Sequence, residues 1–328
     1  MALTLRQLEI FLAVAETGHV TTAAKKIFLT QSAVSMAISE MENILNGPLF
    51  DRQGKKLVLN DRGRFLLPHA REIVNKIRNL ELLLSEPENK IVGTLHVGAS
   101  TTIGNYVMPF IVSAFIEKYP DAEIKLIVGN TRQIEEQIEE GILDIGFVGG
   151  SVHSDKIDVK PWLEDRIHII AGANHPLAQK DKVTLKDLEK ARWIIREEGS
   201  GVAEIFENVI AKQLPKINVF LRLGHTEAIK KAVEAGLGIT CLSVLTVCRE
   251  VEHGWIKILD VPELEISHRL SMILRKDKLK TKLLSEFMNF CEVLEVCCQA
   301  QSACFTSPEQ LISILSNYES LPQAQISQ

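Results

Sequence analysis

No stretch of this 328-residue chain approaches the ~20 consecutive apolar residues that a membrane-spanning helix needs. Yet 46% of its residues are hydrophobic, so that apolar content goes into buried cores, enough for two or three domains. The N-terminus has no basic start followed by a long apolar run, so no secretory leader is read and a cytoplasmic protein without a membrane partner is expected. Paired cysteine spacing is also missing. The six cysteines are Cys241, Cys248, Cys291, Cys297, Cys298 and Cys304, with no two-residue gap of the metal-binding kind and no nearby histidine. Without a leader, a disulfide framework is not expected. Two readings stay open: reduced thiols serving as small apolar side chains, or a metal or redox site. There is no Gly-x-Ser-x-Gly elbow, no phosphate-cradling loop with a lysine and no tight His/Cys/Asp spacing. These absences argue against an enzyme, and no cofactor is expected. An excess of positive charge is lacking too, since the net charge is −5. The distribution is uneven: residues 1–90 hold 12 Lys+Arg against 10 Asp+Glu, and the remainder holds 25 against 32. A mildly basic N-terminal module precedes an acidic body. A module so weakly charged makes few phosphate contacts, so tight binding to nucleic acid would need several modules on one duplex.

What is present is concentrated in residues 20–52. They read as two short helices set close together, with Thr21 and Thr30 as N-caps. Ala23 and Ala24 let another helix approach the first. Along the second, Ala33, Val34, Ala37, Ile38, Met41, Ile44 and Leu45 recur at helical spacing and form a stripe to be buried. The opposite face carries Gln31, Ser32, Ser35, Met36, Ser39 and Asn43, short and uncharged, a face suited to a DNA major groove. An ordinary helical hairpin in an all-α core has the same pattern. The flanks favour DNA. An amphipathic helix over 5–17 ends at Gly18, and Leu49, Phe50, Asp51 and Arg52 lead through Gly54, Lys55 and Lys56 into the apolar Leu57, Val58 and Leu59. Helix, helix-turn-helix and wing within about sixty residues describe a winged DNA-binding module.

With these residues the chain resembles the LysR-type transcriptional regulators. The resemblance is carried by Leu5, Arg6, Gln7, Leu8 and Glu9 with Phe11, by Ala23 and Ala24, by Gln31, Ser32, Ala33, Val34 and Ser35, by Met41 and Glu42, and by Leu49, Phe50 and Arg52. It covers about residues 3–295. Met36 stands where relatives often carry Arg or Lys. Asn46 replaces a helix-ending Gly, and tolerates the left-handed conformation needed there. Asn60, Asp61, Arg62 and Gly63 replace a Thr-containing start to the next helix, which Asn60 or Asp61 can still cap.

Residues 61–85 read as one long helix with Phe65, Leu66, Ile73, Ile77, Leu80 and Leu84 on a nearly continuous apolar face. A second copy packed antiparallel, or its own domain, would cover that face. The resemblance implies the former, a homodimer through this linker helix and a homotetramer beyond it. Ser85, Glu86, Pro87, Glu88 and Asn89 read as a hinge, with Pro87 stopping the helix. From residue 91 strands and helices alternate: strands at 92–99, 124–128 and 144–148, helices at 106–119 and 131–140. A second unit follows with strands at 168–171, 193–196, 218–223 and 239–243 and helices at 185–191, 202–213 and 226–235. A strand at 269–274 and a helix at 282–294 return to the first unit. This order predicts parallel sheets with right-handed crossovers, and two passages between subdomains near 161–166 and 263–269. The expected fold is α/β, an N-terminal winged helix-turn-helix plus a two-lobed effector domain like the periplasmic binding proteins. The expected domains are 1–60 for DNA binding, 61–90 for linker helix and hinge, 91–298 for effector binding, and a tail at 299–328. The first lobe holds 91–162 and 267–298, and the second 163–266. The tail is polar, either a loosely held helix or a disordered segment.

Ligands of open α/β folds sit at the carboxyl ends of strands, against helix starts that favour anions. Ser100, Thr101 and Thr102, then Thr131, then Val148 and Gly149, then Gly199, Ser200 and Gly201, then His225 and Thr226 all meet that description. Each hydroxyl alone can be a helix cap, whereas together they converge on one cleft. By resemblance these are effector positions. Relatives often follow Gly-Ser-Gly with Thr and Arg. Here Val202 and Ala203 stand instead, so a charge-matching Arg is missing, and His225 either donates to the ligand or caps its helix.

The leading expectation is a non-enzymatic transcriptional regulator whose small effector, an anion, changes the angle between lobes and so the spacing of DNA modules. Thr30, Gln31, Ser32, Ser35, Met36 and Ser39 would meet double-stranded promoter DNA, with Arg52, Lys55, Lys56 and Arg64 on phosphates. RNA polymerase is a further candidate partner. The alternatives are a ligand-independent or thiol-redox-responsive regulator of the same fold, an exported solute-binding protein, and an enzyme using the cleft. The segment Thr226, Glu227, Ala228, Ile229 and Lys230, with Gly199, Ser200 and Gly201, resembles regulators of sulfur and inorganic-anion metabolism, with regulators of carbon fixation or of amino-acid metabolism as open alternatives.

Overall fold

The structure, a computed structural model, describes residues 2–54, 56–85, 90–264 and 266–300. Lys55, the hinge residues 86–89 and the tail beyond residue 300 lie outside the described residues, as do the side chains of Leu84, Cys297 and Cys298. The chain divides into two compact units, one holding residues 1–87 and 140–142, the other residues 88–139 and 143–328.

In the first unit the helices are α1 (Leu5–Thr17), α2 (Val20–Lys26), α3 (Gln31–Ile44) and α4 (Asp61–Ser85), with a hairpin of β1 (Phe50–Gln53) and β2 (Lys56–Leu59). Local chemistry sets most of these boundaries. Thr4 and Gln7 form a reciprocal capping box at the start of α1, and Gly18, at φ 68°, ends it. The Thr30 hydroxyl accepts from the Ala33 amide and caps α3. Asn46, at φ 56°, closes α3 in the left-handed conformation its side chain tolerates. Asn60 caps α4 by accepting from the Gly63 amide. Thr21 caps nothing: α2 begins at Val20 after an extended His19, because Gly18 already turns the chain there.

Phe11, Val14, Ala23, Val34, Met41, Leu49 and Phe50 are buried together, with Phe11 and Phe50 ring to ring at 5.4 Å. Each large side chain so buried contributes about 1.5–3 kcal/mol. Of the stripe on α3, Val34, Ile38 and Met41 are buried, and Ala33, Ala37, Ile44 and Leu45 partly so. Antiparallel pairing of Phe50–Leu59 through Gln53–Lys56 makes the wing two-stranded. The Leu57 amide donates to the Gly18 carbonyl at 2.8 Å and ties the wing to α1. On α4, Ala70 and Val74 face the core, whereas Phe65, Ile73 and Leu80 stay largely exposed.

The second unit has two lobes. The first contains β3 (Gly93–Ser100), α5 (Thr101–Tyr106), α6 (Met108–Lys118), β4 (Ala122–Gly129), α7 (Thr131–Glu139) and β5 (Ile145–Gly149). The long β6 (Ile157–Gly172) leads to the second lobe, with α8 (Leu185–Lys190), β7 (Arg192–Arg196) and α9 (Gly201–Ile205). A π-helical turn over Phe206–Ile210 joins α9 to α10 (Ala211–Gln213). Then come β8 (Asn218–Leu223), α11 (Thr226–Glu234), β9 (Ile239–Ser243), α12 (Cys248–Glu252) and β10 (Ile256–Ile258). The return strand β11 (Ile266–Arg275) and α13 (Lys282–Ala300) complete the first lobe. Within each lobe the pairing is parallel, β4–β3–β5 and β8–β7–β9. The expectation of purely parallel sheets needs correction. β6 and β11 pair antiparallel with each other and with β5 and β9, so one sheet runs through both lobes. These two strands are the passages between lobes, and a strand that leaves a lobe must run opposite to the one that returns. Each lobe has its own core, around Phe115, Phe147, Trp162 and Phe287 in the first and Trp193, Phe206 and Ile229 in the second.

Cys241 and Cys291 are fully buried among apolar side chains. Burial pushes the Cys241 thiol up to about 12 and the Cys291 thiol well above its usual value. Burial thus disfavours the thiolate, the reactive form, at both positions.

Candidate effector cleft and DNA-binding surface

Between the lobes lies a cavity of about 20 Å³, room for one or two water-sized groups. It is lined by Ser100, Thr101, Thr102, Thr131, Gly149, Ser200 and Gly201. Strand ends explain the convergence. Ser100 ends β3, Gly149 ends β5, and the starts of α5, α7 and α9 follow. Ser100 and Ser200 occupy the N-cap positions of α5 and α9, but neither side chain makes a capping bond, and both are buried. Neither hydroxyl is committed to its own helix start. Thr131 donates to the Gly149 carbonyl at 3.1 Å, so its hydroxyl props the wall.

Four expected positions lie elsewhere. Val148 is fully buried in the small core around Ile134 and Ile273, since alternate residues of a strand face opposite sides and its neighbour Gly149 faces the cleft. Gly199 lines an adjoining hollow that shares Thr131 and Ser200 with the cavity and is rimmed by Glu135, Glu136, Glu204 and Glu207. His225 is exposed at the start of α11 and neither lines the cavity nor makes a capping bond. Thr226 is buried behind the wall, where it accepts from Arg196.

Sequence reasoning missed the charged part of the cleft. Arg196, 3% exposed at the end of β7, lines the cavity and supplies the cation that Val202 and Ala203 lack. Its Nη1 donates to Thr226 at 2.9 Å and its Nη2 to Thr101 at 3.1 Å, while Nε and Nη2 hold the Glu197 carboxylate at 2.8 and 2.9 Å. Asp165 and His268 also line it. They are cross-strand partners on β6 and β11. The His268 Nε2 lies 3.0 Å from one Asp165 oxygen, and the Ser243 hydroxyl donates to the other at 2.7 Å. His268 Nδ1 is buried with no partner among the described residues. The only signal in the chain was that both residues fall in the predicted passages between lobes. Asn130, Val202 and Leu270 complete the lining.

The lobes meet closely around this cavity. The Arg132 amide donates to the Gly199 carbonyl at 3.2 Å, and the Ser151 amide to Glu204 at 2.9 Å. A Cβ on Gly201 would fall 1.3 Å from the Gly149 carbonyl oxygen. On the far side the Tyr106 hydroxyl donates to Glu227, and Lys230 sits over the Tyr106 ring at 5.2 Å. Burial, then the bond to Glu227, pushes the Tyr106 phenol up to about 12. Burial opposes the Lys230 charge, but Glu227 and Glu250 outweigh it and raise its pKa.

On the other unit Gln31, Ser32, Ser35, Met36 and Ser39 form one exposed face of α3. Thr30 caps the helix and shares a hydrogen bond with Ser32 at 3.0 Å. Arg52 and Lys56 are exposed on the wing. Arg64 is engaged with Asp61 and the Leu59 carbonyl.

Residues 88–295 match the LysR substrate binding domain and residues 5–64 the bacterial regulatory helix-turn-helix protein, lysR family. The chain belongs to the LysR family of transcriptional regulators. It is 38% identical over 296 residues to the HTH-type transcriptional regulator YeiE of Escherichia coli (strain K12), covering 90% of this chain and 99% of that one. Among solved structures, a full-length OxyR variant from Pseudomonas aeruginosa superposes with a TM-score of 0.71 at 19% identity, over 89% of this chain and 94% of that one. The CcmR regulatory domain of Synechocystis PCC6803 in complex with 2-PG gives 0.58 at 30% identity, over 62% and 97%. The LysR-type architecture accounts for both surfaces, a helix-turn-helix for DNA and a two-lobed domain for a small-molecule effector. No helix of the described residues is long and apolar enough to cross a membrane, and no cluster of three metal-ligating side chains occurs among them.

Proposed function

We infer that this LysR-type regulator, acting in the cytoplasm, senses a small oxyanion in the cleft between lobes. The convergence of three helix starts, the uncapped Ser100 and Ser200 hydroxyls and the buried Arg196 on one small cavity carries this reading. Helix N-termini and a guanidinium favour negative charge. The 2-PG complex of the CcmR domain, a relative at 30% identity, supports an effector in this domain. A thermal-shift screen of the full-length protein against sulfite, sulfate, thiosulfate, phosphate and 2-PG tests it. A ligand at 100 times its Kd adds about 2.7 kcal/mol, a rise of roughly 5–10 °C for a domain of this size. No shift with any anion at millimolar concentration would sink the reading.

On DNA, Gln31, Ser32, Ser35, Met36 and Ser39 enter the major groove, with Arg52 and Lys56 on the phosphates. Ser35→Glu abolishes specific binding while leaving the fold intact, and unchanged affinity for a selected operator would refute that assignment. The exposed Phe65, Ile73 and Leu80 on α4 are covered by the same helix of a second copy. Leu80→Glu then sediments as a monomer.

A further inference from the structure

Phe28 breaks a local rule at an informative place. The end of α2 is a Schellman turn: the Leu29 amide donates to the Ala24 carbonyl at 2.9 Å and the Phe28 amide to Lys25 at 3.4 Å. The residue at the centre of such a turn is left-handed, and glycine or asparagine suits it. The equivalent turn after α3 uses Asn46, with the Gly47 amide on the Glu42 carbonyl at 2.9 Å. After α2 the position holds Phe28 at φ 56°, where a bulky side chain is strained. The ring repays none of this within the fold, since Phe28 is 95% exposed. Strain without an internal return is a mark of functional positions. Phe28 lies two residues before Thr30, the N-cap of α3, and recognition helices present their N-terminal ends to base edges. Farther along, Met36 is 64% exposed among Ser32, Ser35 and Ser39. It is an apolar group in the middle of a face that carries no charge.

We propose that Phe28 and Met36 read thymine in the operator through apolar contact with its 5-methyl group. Thymine alone among the bases presents a methyl in the major groove, and uncharged apolar side chains recognise it. This rests on the assignment of α3 to the major groove. It adds Phe28 to the DNA contacts and gives Met36 a chemical role. A face of hydroxyls, an amide and two apolar groups obtains its sequence preference without the Arg–guanine pair, and the operator half-site is accordingly rich in A·T.

The test starts from the duplex that the full-length protein selects out of a random-sequence pool. Each thymine of one half-site is replaced in turn by deoxyuridine, which differs only by the methyl. Wild-type protein loses about four-fold in affinity at one or two positions, the worth of one buried methyl group. Phe28→Asn and Met36→Ala bind the parent operator more weakly, and each becomes indifferent to one of those replacements. Phe28→Asn melts no lower than wild type, because asparagine suits the turn and no packing is lost, so weaker binding is not misfolding. Indifference of the wild type to every deoxyuridine, undiminished affinity of Phe28→Asn, or methyl sensitivity that persists in both variants overturns the proposal. Selection of no sequence at all would overturn the major-groove assignment itself, a result distinct from these.

Discussion

Arg196 of the second lobe donates to the Thr101 hydroxyl of the first at 3.1 Å, across the cavity both residues line. The same guanidinium is held by Glu197, so the cation that lines the cavity is already paired. Two substitutions therefore act in opposite directions. Arg196→Lys keeps a charge but loses the planar fork that spans both lobes, and anion affinity falls at least ten-fold in calorimetric titration. Glu197→Gln releases the guanidinium, and affinity rises about ten-fold or more, the worth of one charge-assisted bond gained. Equal losses in both variants would show that Glu197 serves the ligand and not the resting cleft.

Gly201 and Gly149 meet backbone to backbone where the lobes touch. Gly201→Ala places a Cβ 1.3 Å from the Gly149 carbonyl oxygen, and neither the start of α9 nor the end of β5 can retreat without moving its lobe. The variant folds, because each lobe has its own core, but its cleft stands open. Effector-induced stabilisation disappears, and small-angle scattering of the variant shows a larger radius of gyration than wild type. Unaltered effector binding would show that closure at this point is dispensable.

Asp144 is a pH-dependent brace of the first lobe. One oxygen accepts from the His96 amide at 2.7 Å and the other from Lys278. Burial alone would raise its carboxyl, but the His96 and Lys278 contacts outweigh burial and hold it below the usual aspartate value. A lowered folded pKa contributes stability that is complete above the unfolded value of about 3.9 and is lost as pH falls through the folded one. Asp144→Asn is thus less stable than wild type at pH 7, by about 2 kcal/mol. Its stability changes less as pH falls below the unfolded aspartate value of about 3.9, so the two denaturation midpoints approach each other there.

The helix-turn-helix was legible because its determinants are local. Thr30, Gly18, Asn46 and Asn60 act within four residues of the amides or turns they satisfy, and the apolar stripe of α3 repeats at helical spacing. The one cap that failed, Thr21, failed for a nearby reason, since the turn at Gly18 starts α2 earlier. The order of strands and helices in the second unit was equally local, as was the choice of strand ends followed by Ser, Thr and Gly.

Tertiary structure alone decided which of those ends share a cavity. Val148 and Gly149 are neighbours in the chain, yet one is in the core and the other on the cleft. Arg196 lines the cavity and reaches Thr101 only because β7 ends opposite α5 of the other lobe. Asp165 and His268, 103 residues apart, become partners only because the two strands that leave and re-enter the first lobe must lie antiparallel. Periodicity and capping, which act over a few residues, wrote the secondary structure and the DNA-binding face into the sequence. The chemistry of the cavity between the lobes depends on long-range strand register, and no short window of residues contains it.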